Sequence, residues 1–384
     1  MLKIVRKREN IFIIILLMII LILFFIPTDF ERKNNNSLRA KAEVISVDNS
    51  QLEQRGIVKT GVQAVKLRIL NGEFKGKEFT SPNNLRGQLE LDKMFSAKDK
   101  AFVVIDHIGN RVTAVNIIDH YRLNIELILF IVFIVLLVVF AGWTGVKSVF
   151  SFIFTVLMIW KVLIPFFLKG WNPIFVSLIV VSVLIGVTTF LVAGINKKAL
   201  VSFLGSISGI LITCIFALIF GNAFKIHGAV VSFSETLLYS GYAYLDLTKI
   251  FISGIFIASS GALMDVTMDI STAVYEVVIN KPDITRKEAI KSGFSVAKAV
   301  VGTMTTTLLL AYSGGYTAML MVFMAQGTPI MNILNMSYVS AEILHTIVGS
   351  FGLVLVAPLT AVLAGVFFTN SEYVNKLVGK ESVS

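Results

Sequence analysis

The chain has 384 residues, of which 55% are hydrophobic and only 15% are charged, whereas roughly a quarter of the residues in a soluble domain are charged. The net charge of +10 does not indicate nucleic-acid binding, because Lys and Arg stand at the ends of long apolar blocks, as in membrane proteins. The one cysteine, Cys214, lies inside an apolar block, which excludes an internal disulfide and a thiolate metal site. The composition therefore predicts a multi-pass membrane protein, with no metal or cofactor.

Eight apolar blocks meet or approach the length of about 20 residues that a helix needs to cross a bilayer. Seven or nine spans remain alternatives, because the last two blocks are long enough to tilt, kink or leave the bilayer. Pro358 is the predicted kink, since proline lacks an N–H group. The blocks are 11–26, 125–141, 149–168, 174–195, 199–220, 247–268, 293–323 and 337–368.

Basic residues predict the orientation, because Lys and Arg concentrate in short cytoplasmic loops. With eight spans and a cytoplasmic N-terminus, both termini of this predicted plasma-membrane protein are cytoplasmic, and residues 371–384 form a tail. Residues 1–27 have the basic start and apolar core of either a signal peptide or an uncleaved anchor. Ile26, Pro27 and Thr28 do not form a small-residue cleavage site, which favours an anchor.

Residues 28–122 are predicted to form a small extracytoplasmic domain between the first two spans, after a short linker at 34–37. β-Branched runs alternate there with turn sequences, which is typical of a β-barrel of the OB or SH3 kind. The runs are 42–47, 62–70, 102–105 and 112–118, and the predicted turns are 71–72, 75–76 and 81–84. Asp106, His107 and His120 lack metal-site spacing. The domain is interpreted as a spacer or docking module.

One face of the sixth block combines small and acidic residues. Gly254, Gly261, Asp265 and Asp269 recur at steps near whole helical turns. A charge at the centre of a membrane helix costs about 2.5–3.5 kcal/mol, so this stripe is predicted to be buried against another helix, with Gly254 and Gly261 as packing residues. The alternative is that the acids end the helix at cytoplasmic water, and this interpretation is stronger for Glu276.

The seventh block offers a basic partner for this stripe. Lys298 is predicted to lie near the membrane level of Asp265 and to pair with it, because a buried charge needs a partner. Thr303 and Thr306 share a face of the same block and would form the polar wall of a proton path, or, alternatively, an ordinary helix contact. The short basic connection 280–292 before it is predicted to contain a capped cytoplasmic helix that starts near Asp283 or Thr285 and lies on the inner leaflet.

The eighth block carries a second polar pair. Glu342, His345, Gly349 and Gly352 share one helical face, with the two glycines and Pro358 as packing positions. Glu342 and His345 are predicted to lie in the outer part of the membrane, too shallow to touch Asp265. They form either a satisfied pair at a helix end or part of a polar pathway.

Several motifs in the membrane region are similar to those of the bacterial YibE/F family. They are SGALMDV at 260–266, ISTA at 270–273, AEI at 341–343, GSFGLVL at 349–355 and PLT at 358–360. The resemblance implies that residues 123–370 form a helical membrane domain of this family. It also implies that the chain is the longer member, with an anchor and an outer domain, and that a shorter homologous subunit is its partner.

A more distant similarity links the chain to the membrane half of SecD/SecF and the RND transporters. It rests on the order of Gly261-x-x-x-Asp265, KEAI at 287–290, TTT at 305–307 and GG at 314–315. The resemblance implies proton coupling at Asp265. The chain departs from that pattern by two additional spans and a smaller outer domain.

These observations favour a transporter-like or export-accessory membrane protein, driven by protons through Asp265. The alternative is a non-transporting scaffold or envelope protein whose outer domain binds a partner. An intramembrane enzyme is disfavoured, because the chain has no His-Glu-x-x-His motif and no Gly-x-Ser-x-Gly elbow.

Overall fold

The computed structural model describes residues 2–27, 30 and 36–369, with side chains from residue 10 onward. Residues 34 and 35 of the predicted linker at 34–37, and the whole predicted tail at 371–384, lie outside the described residues. The chain divides into two compact units, one of Met1–Thr28 with Ala141–Ser384 and the other of Asp29–Phe140. Each is considered by itself.

Five antiparallel strands form a nearly closed, barrel-like sheet in the smaller unit. They are β1 (Ser37–Arg55), β2 (Val58–Ile69), β3 (Glu78–Arg86), β4 (Lys100–Ile108) and β5 (Arg111–His120), in the order β3-β2-β1-β4-β5. The Ser81 hydroxyl donates to the Val115 carbonyl at 2.6 Å, which ties the two outermost strands together. Alternate side chains such as Val65, Leu67 and Val103 fill the interior, as the two-residue period of a strand requires.

The segment 81–84, predicted to be a turn, is instead the middle of β3. Ser81 and Asn83 point into the barrel, where the Asn83 amide donates to the Gln63 side chain and the Lys93 carbonyl. Pro82 points outward on a strand at the end of the sheet order, where a missing N–H is tolerated. Turn-type residues were therefore misread because their polar groups are satisfied inside the barrel.

The described residues contain eleven α-helices. Their bounds are α1 (Leu2–Phe25), α2 (Leu123–Met158), α3 (Ile164–Leu168), α4 (Pro173–Val192), α5 (Lys197–Ala223), α6 (Ser234–Leu237), α7 (Leu247–Asn280), α8 (Arg286–Ser313), α9 (Thr317–Ala325), α10 (Ile330–Asn335) and α11 (Ser337–Phe368). Short 3₁₀ or π-helical turns at 159–163, 228–230, 238–242 and 314–316 link some of them.

Six helical stretches in the described part of the chain are long and apolar enough to cross a membrane, which fits a multi-pass membrane protein. The second and third predicted blocks merge into one apolar stretch, Leu123–Leu168. Gly142 interrupts it with φ 56° and ψ −130°, a conformation that glycine adopts readily. The first block forms a shorter apolar helix, Asn10–Phe25. The described residues thus contain six long apolar helical stretches, where eight spans were predicted.

The predicted helix start at Thr285 is found, and it is the start of α8 itself. Thr285 caps α8 directly: its hydroxyl accepts the Glu288 N–H, and the Glu288 carboxylate accepts the Thr285 N–H. This reciprocal arrangement is a capping box. The basic residues from Arg286 to Lys291 are therefore the first turns of α8, and the predicted cytoplasmic helix and the seventh block near Gly293 form one continuous helix.

Close contacts among α5, α7, α8 and α11 form the centre of the helical unit. Glycines permit them, since a Cβ on Gly209 would lie 2.8 Å from Val356 and one on Gly293 would lie 2.9 Å from Ala361. Of the predicted packing positions, Gly352 and Gly349 lie at such contacts, beside Thr213 and Ser259 respectively. Pro358 lies inside the continuous helix α11.

Candidate functional site

The acidic stripe of α7 lies on the surface of this chain and not in its core. Asp265, Asp269 and Gly261 are exposed. No atom of the described chain, apart from each glycine's own immediate backbone, lies within 4 Å of a Cβ built on Gly254 or Gly261. The prediction that the stripe is buried within the chain is therefore wrong.

The opposite side of α7 is buried instead. Leu263, Val266 and Ile270 have no exposed surface there, and the Thr267 hydroxyl lies 2.9 and 2.7 Å from the hydroxyls of Ser202 and Ser206 on α5. These contacts decide which side of α7 faces the core. Apolar side chains and hydrogen-bonded hydroxyls can be buried without leaving a charge unpaired, whereas the carboxylates cannot.

The predicted Asp265–Lys298 pair is not formed. Lys298 is exposed on α8, and no ion pair between described residues joins it to Asp265. Thr303 and Thr306 are exposed on α8 as well, and the Thr303 hydroxyl donates to the Val300 carbonyl one turn back. Glu276 lies 4.0 Å from Lys198, so its interpretation as a helix-end acid fits the structure better.

The structure brings a different set of polar side chains together, where α11 meets the C-terminal part of α8. Glu342 Oε2 and His345 Nδ1 lie 4.0 Å apart on α11, and both side chains are largely covered. The His345 ring packs on the ring of Tyr312, with 4.6 Å between centroids and 33° between planes. Tyr316, one turn further along, lines the same pocket as Glu342. We call these four residues the polar cluster.

Three atoms of the polar cluster are sealed from solvent and lack a hydrogen-bond partner among the described residues. They are Tyr312 Oη, Glu342 Oε2 and His345 Nε2. A buried polar atom without a partner costs about 1–3 kcal/mol, and such atoms in a native protein call for an explanation. The Glu342–His345 pair is therefore present but leaves these atoms without a hydrogen bond from another described residue.

A pocket of about 240 Å³ adjoins the polar cluster. Glu342 and Tyr316 contribute to its wall beside apolar side chains, so one end of the cluster is reached from the pocket. His345 and Tyr312 continue from Glu342 into the protein. The full lining is Leu309, Ser313, Tyr316, Met319, Leu320, Val339, Glu342, Ile343, Thr346 and Ile347. A few convergent polar groups in an apolar pocket are typical of small-molecule and ion sites.

Tyr312 and Tyr316 were missed by the sequence analysis. Their four-residue spacing puts them on one side of a helix end, which was the available signal. Their distance of about 30 residues from Glu342 concealed the contact, because only the packing of α8 on α11 brings them together.

Both units of the chain match models of a known protein family. Residues 129–370 match the model of the YibE/F-like protein, which covers more than half of the chain. The chain belongs to the YibE/F family. Residues 37–120, which contain the five strands, match the YibE/F family N-terminal domain. No curated protein and no solved structure matches the chain. Both the acidic stripe and the polar cluster lie in the YibE/F-like region.

Proposed function

We propose that this YibE/F protein is a transport-type membrane protein that binds and releases a proton at the polar cluster formed by Tyr312, Tyr316, Glu342 and His345. The protein would lie in the plasma membrane with eight crossings and both termini in the cytoplasm, and residues 28–122 would lie outside. The distribution of Lys and Arg supports this topology. The break at Gly142 supports two crossings within the Leu123–Leu168 stretch.

The observation that carries the proposal is the set of three sealed polar atoms without partners beside a pocket. Groups whose only task is packing would be paired or replaced by apolar side chains. Ionisable groups inside membrane helices are uncommon and are found mainly on ion and proton paths. Glu342 and His345 are both groups that exchange protons.

Charge explains how one proton changes this site. With an ionised Glu342 and a neutral His345 the pair carries one negative charge, and one added proton makes it neutral. Low-dielectric surroundings penalise net charge. Binding of the proton would therefore favour a closed pocket, and loss of the proton would favour an open one. The 4.0 Å gap needs a small side-chain movement or one water for transfer, and a pocket of about 240 Å³ has room for water.

Infrared difference spectra of the protein in liposomes, recorded between acidic and alkaline buffer, test proton binding. Glu342→Gln should remove a carboxyl band that Asp265→Asn retains, because Asp265 is exposed on the surface of α7 and is not part of the polar cluster. Glu276→Gln, at the exposed end of α7, is the matched control. If Asp265→Asn removes the band and Glu342→Gln does not, the proton site implied by the SecD/SecF resemblance is favoured and this one is wrong.

Transport is tested in cells that lack the protein and are complemented with each variant. Glu342→Gln should insert at wild-type levels but fail to restore the profile of exported metabolites and proteins. A scaffold would retain its function with Glu342→Gln, so full restoration by that variant contradicts the proposal.

A further inference from the structure

The neighbouring helices α7 and α8 each carry an exposed stripe with the composition of a helix interface, and no described helix packs against the glycines of either stripe. The stripes consist of Gly261, Asp265 and Asp269 on α7 and of Lys298, Gly302 and Thr306 on α8, all of them exposed. Apart from the local helix backbone, no described atom lies within 4 Å of a Cβ built on Gly261 or Gly302. We call these six residues the α7/α8 face.

Lipid is a poor occupant for this face. A charged side chain in the middle of a membrane helix costs about 2.5–3.5 kcal/mol unless it is paired. Within the described chain, the ion pairs include none formed by Asp265, Asp269 or Lys298. Glycine and threonine, in contrast, let a second helix approach closely in a membrane.

The acidic and basic residues of the face also lie at similar distances along their helices from the connection between α7 and α8. α7 ends at Asn280 and α8 begins at Arg286, so distances can be counted from their connection at 1.5 Å per residue. Asp269 then lies about 16 Å, Lys298 about 18 Å and Asp265 about 22 Å from it. A second copy with the same orientation in the membrane would present its own charges at these levels.

We propose that the α7/α8 face binds the same face of a second copy of this chain, related by a two-fold axis along the membrane normal. Such an interface is self-complementary. The carboxylates of Asp265 and Asp269 would face Lys298 of the partner copy, and the same contact would form a second time by symmetry. A face that carries both signs suits a copy of itself. The inference does not depend on the proposed function.

Steric variants test the contact without changing charge. Gly261→Leu and Gly302→Leu should fold as the wild type does, because each side chain enters open space in the single chain. Both should convert a dimer into a monomer, measured by single-molecule photobleaching in liposomes. Val354→Leu, on the exposed side of α11, is the matched control and should remain dimeric.

Charge exchange then tests which groups meet. Lys298→Glu and the double variant Asp265→Lys/Asp269→Lys should each be monomeric alone, because like charges would face each other. Mixed together they should dimerise, since every facing pair is again of opposite sign. Lys225→Glu, in an exposed loop, is the control reversal and should remain dimeric.

Loss of dimer in the glycine variants with recovery in the charge-exchanged mixture supports the proposal. A wild type that is monomeric at all protein-to-lipid ratios overturns it. So does a dimer that persists in both glycine variants. A wild type that associates only with a shorter homologous subunit also contradicts it, because the proposed occupant is a copy of this chain.

Discussion

Individual side chains in this protein act through partners that the sequence does not reveal. Asp92 is an example: its carboxylate accepts the N–H groups of Arg86, Gly87 and Gln88 at 2.7–3.0 Å. These bonds, the one from Arg86 foremost, hold the pKa of Asp92 below its ordinary value of 3.8. Gly87 has φ +82°, a conformation that suits glycine. One carboxylate therefore secures the end of β3.

A lowered carboxyl pKa adds stability above the ordinary value, and this stability is lost as the pH falls through the lower folded-state pKa. Asp92→Asn should therefore reduce the free energy of unfolding of the β domain at neutral pH and flatten its dependence on acid. The check is denaturant unfolding of residues 36–121 by circular dichroism between pH 7 and pH 3. Glu73→Gln, an exposed carboxylate, should leave the curve unchanged, and equal effects from both variants would contradict this role.

Helix faces were predicted with the correct periodicity but assigned to the wrong side. Both sides of α7 carry small residues, so spacing alone does not identify the side that is buried. Thr267, with its partners on α5, marks the buried side, while Gly261 marks the open one. On α11, Gly352 lies close to Thr213 and Gly349 is in ordinary contact with Ser259.

The two kinds of glycine should respond oppositely to alanine. Gly352→Ala places a Cβ 2.0 Å from Thr213 Oγ1 and should destabilise the helical unit by about 1–3 kcal/mol, as overpacking does. Gly254→Ala meets no side chain of the described chain and should be neutral, or stabilising by up to about 1 kcal/mol through helix propensity. Thermal unfolding of the purified protein in detergent measures both. Equal destabilisation would show that Gly254 is also packed.

At the scale of the whole molecule, each unit has an interior of its own. The β domain is filled by residues such as Val65, Leu67 and Ile105, which are at most 1% exposed. The helical unit contains the core around Leu263 and Val356. In that unit, Leu16 of α1 is 2% exposed and belongs to a cluster with residues of α2 and α4, so the predicted anchor helix is part of the packing.

Because its core is internal, the segment 36–121 should fold without the membrane region. We expect a cooperative thermal transition and a β-type circular dichroism spectrum in aqueous buffer. Leu67→Asp should abolish the transition, since it buries a charge without a partner, whereas Ile57→Asp, at a site that is 79% exposed, should preserve it. A segment that remains unfolded with its native sequence would show that the β domain depends on the helices.

The sequence alone determined the membrane class, the β domain and its approximate extent, and the family. Each of these follows from local composition, strand-period patterns or sequence motifs, which can be recognised without knowing the tertiary contacts. Tertiary structure alone decided that 81–84 is a strand, that Asp265 faces outward, and that His345 packs on Tyr312. The physical reason is common to all three: whether a polar group is satisfied depends on atoms distant in the chain, which only packing brings within a few ångströms.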